Sequence, residues 1–106
     1  MTTPLLSVEN LSIAYKEGDQ HNRVTHEVSF TPGSRTAALM GDDRSVHCFH
    51  HQGVADPGTL TVAGRAEDGL IEALEDPARR FLLAVQWHPE VIRDKRLFGA
   101  LVTATR

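Results

Sequence analysis

A chain of 106 residues with a formal net charge of −3 and 41% hydrophobic residues has room for one small domain around a single core. The mild acidity and the lack of a basic block argue against a nucleic-acid surface or a polybasic membrane anchor, and no apolar stretch is long enough to span a bilayer. The single cysteine, Cys48, excludes an internal disulfide framework and predicts a reducing, cytoplasmic setting, and the opening Met1-Thr2-Thr3-Pro4 lacks the charged start and apolar segment of a secretory signal.

Residues Leu5 to Tyr15 alternate as a strand, and the polar block Lys16 to Arg23 follows as a turn. Val24 to Phe30 alternates again, with Val24, His26, Val28 and Phe30 on one side. After the turn Thr31-Pro32-Gly33, Ser34 is placed to cap a short helix from Arg35 to Met40, with Gly41 as its stop. Gly41-Asp42-Asp43 then breaks the chain before Val46 to His51. Asp56-Pro57-Gly58 predicts a turn, Thr59 to Ala63 a strand, Glu67-Asp68-Gly69 a hairpin and Leu70 to Leu74 the return strand.

The turn Asp76 to Arg80 leads into Phe81-Leu82-Leu83-Ala84-Val85-Gln86-Trp87, an unbroken run that reads as a strand buried on both faces. Asp94 is a candidate cap for a final helix whose apolar stripe is Leu97, Phe98, Leu101 and Val102. The pattern predicts a mixed α and β domain with antiparallel neighbours in its middle.

The chemistry concentrates in two places. His88 and Glu90 end the Phe81 run two residues apart, which puts them on one side if the extended conformation continues through Pro89. A histidine held by a carboxylate is the base-plus-orienter half of a nucleophilic triad; the competing reading is a strand-end histidine beside a solvated glutamate. The second place is His47-Cys48-Phe49-His50-His51-Gln52. These residues carry metal-ligating atoms, but no second Cys/His pair follows at a zinc spacing. Cys48 as a nucleophile would need an exposed elbow, and no glycine flanks it closely, so a buried, inert thiol is the simpler expectation. His50, His51 and Gln52 are candidates for a polar pocket wall. Gly41-Asp42-Asp43-Arg44-Ser45 lacks the second glycine and the lysine of a phosphate-binding loop.

Three ordered segments carry a family resemblance: Val46-His47-Cys48-Phe49-His50-His51-Gln52, then Gly64-Arg65-Ala66-Glu67-Asp68-Gly69-Leu70-Ile71-Glu72-Ala73, then Val85-Gln86-Trp87-His88-Pro89-Glu90. Together with Val28 to Gly41 they resemble the C-terminal part of a class I glutamine amidotransferase-like hydrolase, in its gamma-glutamyl-gamma-aminobutyrate hydrolase branch. The resemblance covers about residues 19–106. It implies an α/β fold: the C-terminal half of a glutamine-amidotransferase-like, flavodoxin-like sandwich around a mainly parallel sheet, here with short antiparallel strands and a C-terminal helix. It implies hydrolysis of a small gamma-glutamyl amide through a thioester, without a cofactor or metal, with His88 as base, Glu90 as its orienter and His50, His51 and Gln52 near the substrate.

The family's nucleophile is a cysteine in a glycine-flanked strand-to-helix elbow upstream of all these segments, and nothing in the chain matches it. Residues Pro4 to Tyr15 instead resemble the opening strand of an ABC-transporter ATPase, without the phosphate loop that ATP binding needs. The expected organisation is a leader over 1–18 followed by a truncated hydrolase domain over 19–106. That organisation predicts an inactive hydrolase fragment, with a non-catalytic half-domain partner or an ABC ATPase remnant as alternatives. With half of the expected sheet absent, the run Phe81 to Trp87 would lack cover, which predicts marginal stability or self-association.

Overall fold

A computed structural model describes residues 11–15, 22–49, 52–91 and 93–105. In chain order its elements are β1 (Leu11–Tyr15), β2 (Asn22–Phe30), α1 (Arg35–Met40), β3 (Ser45–Phe49), β4 (Gln52–Pro57), β5 (Thr61–Ala66), β6 (Ile71–Glu75), β7 (Leu83–Val85) and α2 (Arg96–Ala104). Among the described residues no helix is long and apolar enough to cross a membrane. The part of the first expected strand before Leu11, and most of the polar turn after Tyr15, lie outside the described residues.

The sheet is organised on β6, all five of whose residues are buried. Its strands run in the order β1-β4-β6-β5-β2-β3, and β7 also pairs with β6. β4 meets β6 at Val54–Ile71, while β7 meets it from Ala73–Val85 to Glu75–Leu83, so these two strands divide one edge of β6 between them. β5 takes the other edge. Every pairing among the described residues is antiparallel, whereas the resemblance implies a mainly parallel sheet. For β5–β6 and β6–β7 the short links account for this, since a parallel neighbour needs a crossover of about a dozen residues or more.

Local chemistry sets the turns as expected. Ser34 Oγ accepts from Ala37 N at 3.0 Å to open α1, and Gly41, at φ 62°, closes it by donating from its N–H to Ala37 O. In the β5–β6 hairpin, Gly69 adopts φ 87° and donates to Ala66 O, while Asp68 Oδ1 accepts from Leu70 N at 3.0 Å. At Gly64 of β5 an added Cβ would lie 3.0 Å from Val28 Cγ1, so the missing side chain lets β2 and β5 close over each other.

The core collects Val28, Val46, Cys48, Ala73 and Trp87 from the strands and loops with Met40 and Leu97 from the two helices. Trp87 packs its ring at 60° to Phe30, with centroids 6.0 Å apart.

Two expectations are corrected. The run Phe81 to Trp87 is not a strand buried on both faces: only Leu83–Val85 is extended, Ala84 is exposed, and Phe81, Leu83 and Val85 are half-buried. β7 has β6 on one edge, and among the described residues no other strand pairs with it. Asp94 is also not the helix cap, because the residue before α2 is Lys95, which makes no side-chain capping bond. Asp94 instead accepts from Arg96 N at 3.1 Å and grips the Arg96 guanidinium at 2.9 and 2.6 Å. That guanidinium reaches Met40 O at 2.9 Å and so ties the end of α1 to the start of α2. Of the apolar stripe on α2, Leu97 is buried, but Phe98, Leu101 and Val102 remain 50%, 47% and 53% exposed.

Candidate active site

The chain leaves β7 at Val85 and is fixed by two backbone bonds. Gln86 N donates to Glu72 O of β6 at 2.8 Å, and His88 N donates to His47 O of β3 at 2.9 Å. Between them Trp87 is buried in the core. Beyond His88 the chain turns: Val91 N donates to His88 O and Asp94 N to Pro89 O. The turn brings Glu90 Oε1 to 2.6 Å from His88 Nδ1. The two side chains therefore meet, but through a turn at Pro89 and not through the continued extended strand that alternation supposes.

The contact is short and charge-assisted. Accepting from His88 holds the Glu90 carboxyl below the usual carboxylate range. A neutral imidazole that donates from Nδ1 carries its lone pair on Nε2, so Glu90 selects the tautomer able to take a proton there. The imidazole is 39% exposed.

Cys48 lies elsewhere. It is fully buried, with Sγ 3.7 and 3.8 Å from the two carboxyl oxygens of Glu72, itself 0% exposed. Burial first, then the Glu72 charge, push the thiol up from 9.0 to about 12. Such a thiol is not a nucleophile near neutrality. His50 and His51 lie outside the described residues; Gln52 opens β4, where its backbone pairs with Tyr15. Among the described residues no three His, Cys, Asp or Glu side chains converge as a metal set.

Sequence reasoning missed two carboxylates. Glu72 and Glu75 are both buried on β6. The available signal was acidic residues inside an otherwise apolar five-residue strand, where a buried carboxylate must find donors. Glu75 finds them at α1: Oε1 accepts from Arg35 N at 3.0 Å, and Oε2 accepts from Thr36 N at 2.6 Å and from the Thr36 hydroxyl. Reasoning from pattern also missed an apolar cleft of about 290 Å³ between β7 and α2, lined by Leu83, Val85, Leu97, Phe98 and Leu101, with Glu90 among its walls.

A buried aromatic, a backbone-locked histidine and its carboxylate partner thus stand together at the end of an α/β sheet. Residues 6–90 match the Peptidase C26 family, and the chain belongs to that family of glutamine amidotransferase-like proteins. The matched stretch opens within the first eighteen residues, and β1 pairs with β4 in the same sheet as the later strands. Over 74 residues the chain is 51% identical to a Mycobacterium tuberculosis protein named "Putative glutamine amidotransferase Rv2859c", covering 68% of this chain and 24% of that one. Over 76 residues it is 38% identical to the gamma-glutamyl-gamma-aminobutyrate hydrolase PuuD of Escherichia coli, covering 68% of this chain and 30% of that one. The chain thus spans about a quarter to a third of the length of these relatives.

Proposed function

We propose that this chain supplies the proton-transfer half of a gamma-glutamyl amide hydrolase, with His88 as general base and acid and Glu90 as its positioning carboxylate. The observation that carries the reading is the 2.6 Å contact between His88 Nδ1 and Glu90 Oε1 on a loop locked by the His88 N to His47 O bond. The nucleophile is a cysteine outside these residues, because Cys48 is buried against Glu72 and held protonated.

In this reading Nε2 of His88 takes the proton of the incoming thiol, and the thiolate attacks the gamma-carbonyl carbon. The tetrahedral adduct collapses to a thioester as the carbon–nitrogen bond breaks, and the departing amine leaves with the proton from the imidazolium. Water then gives a proton to Nε2 and attacks the thioester. The glutamyl carboxylic acid departs and the proton returns to sulfur. Glu90 stabilises the imidazolium in both halves without taking its proton. His50, His51 and Gln52 are this chain's candidates for the glutamyl-binding wall.

The test is a graft. Residues of the E. coli hydrolase that match this chain are replaced by their counterparts here, and hydrolysis of gamma-glutamyl-gamma-aminobutyrate is followed. The expected result is turnover in the graft, roughly a hundredfold or more lower after His88→Ala, and background in the isolated chain. Turnover by the isolated chain that disappears on Cys48→Ser, or a graft indifferent to His88→Ala, would overturn the reading.

A further inference from the structure

The loop that carries His88 is held at two backbone points, and a buried side-chain contact joins those points. Gln86 N donates to the carbonyl of Glu72 on β6, and His88 N donates to the carbonyl of His47 on β3. Cys48, the residue after His47, places Sγ 3.7 and 3.8 Å from the two carboxyl oxygens of the same Glu72. The contacts close a ring: Glu72 to Gln86, through Trp87 to His88, across to His47, on to Cys48 and back to Glu72. In the sheet order β5 and β2 stand between β6 and β3, so among the described residues no strand ladder sets the distance between the two carbonyls. The thiol–carboxyl contact spans that distance directly.

The chemistry of the pair argues for a task beyond filling space. Cys48 and Glu72 are both 0% exposed, and Cys48 shares its buried cluster with Trp87, the residue between the two anchored amides. A carboxyl side chain is costly to bury, and apolar side chains of similar volume would fill the same space without that cost. Apolar contact has no direction. A thiol donor aimed at a carboxyl group has one, and it fixes how β3 and β6 stand relative to each other. We infer that Cys48 and Glu72 are positioning residues: their buried contact sets the spacing of the His47 and Glu72 carbonyls, and through them the place of the His88 imidazole. The catalytic consequence rests on the proposed hydrolase reading, whereas the hold on the loop is a property of this chain alone.

Amide hydrogen exchange in the isolated chain reads that hold. Cys48→Ala should speed exchange at Gln86 and His88 by about tenfold or more relative to Thr31, whose N–H is bonded to Ala63 O of β5 and reports general loosening. Cys48→Ser is close to alanine in size but keeps a donor, so its exchange should be at least about threefold slower than that of Cys48→Ala. In the E. coli graft Cys48→Ala should lower kcat by about tenfold with KM nearly unchanged, and Cys48→Ser should recover part of the loss. Exchange at Gln86 and His88 that only keeps pace with Thr31 in Cys48→Ala would overturn the inference, as would equal values for Cys48→Ser and Cys48→Ala. A graft that still depends on His88 would then leave the hydrolase reading standing. Selective acceleration in the isolated chain, with no turnover in the unaltered graft, would keep the hold on the loop and discard the hydrolase reading.

Discussion

The backbone N–H of His88 donates to the carbonyl of His47 across 2.9 Å, so the loop that carries the imidazole is fastened to β3 by main-chain atoms. Loop position and ring orientation are therefore set separately: the backbone bond places His88, and the Glu90 carboxylate turns the ring. Glu90→Gln should leave the fold and the thermal midpoint nearly unchanged. In the graft it should lower turnover by roughly ten- to a hundredfold while leaving KM close to its original value. Steady-state kinetics beside a melting curve check both parts.

The same contact fixes a pH signature. The Glu90 carboxyl lies below its ordinary range because it accepts from His88. A depressed carboxylate favours the folded state above its unfolded value, and that contribution fades as pH falls through the lowered one. In a carboxyl-carbon NMR titration of the isolated chain, Glu90 should titrate at lower pH than an ordinary glutamate. After His88→Ala it should move back up; an unchanged midpoint would show that the imidazole is not its partner.

Cys48 gives the opposite sign. Its thiol is pushed up to about 12 by burial and by Glu72. The contribution of a raised group is fully present below the unfolded value near 9 and is lost as pH rises toward the folded one. Urea unfolding should weaken by about 1.4 kcal/mol between pH 8 and pH 10 through this group, and Cys48→Ala should remove that part of the slope. In the native chain the thiol should resist alkylation at pH 8 and react at once in denaturant.

Glu75 ties the end of β6 to α1 by accepting from the backbone of Arg35 and Thr36 and from the Thr36 hydroxyl. Glu75→Ala leaves two N–H donors of the first helical turn, one of them on the buried Thr36, without their acceptor. The expected loss is about 2–3 kcal/mol in urea unfolding. Arg96→Ala should cost less, about 1–2 kcal/mol, because its bonds to Met40 O and Asp94 are part-buried.

What the sequence disclosed follows from the range of the interaction involved. Ser34 and Gly41 bound α1, and Glu67-Asp68-Gly69 shapes its hairpin, because those bonds close within a few residues. His88 and Glu90 were legible for the same reason, although the turn at Pro89 that joins them was not. Glu75 on α1, Arg96 on Met40 and His88 on His47 each join residues about forty or more apart, and no local pattern announces them. The Phe81 run misled because its apolar content reports the cover it can take. Among the described residues the cover it has is less: β6 on one edge of β7 and half-exposed side chains beside α2.

The most direct measurement is the alkylation rate, in the E. coli graft at neutral pH, of the host cysteine proposed as the nucleophile, with and without His88→Ala. If the imidazole donated by this chain is the base for that sulfur, the substitution slows alkylation at least tenfold and Glu90→Gln slows it by less. Identical rates in the three proteins would contradict the claim.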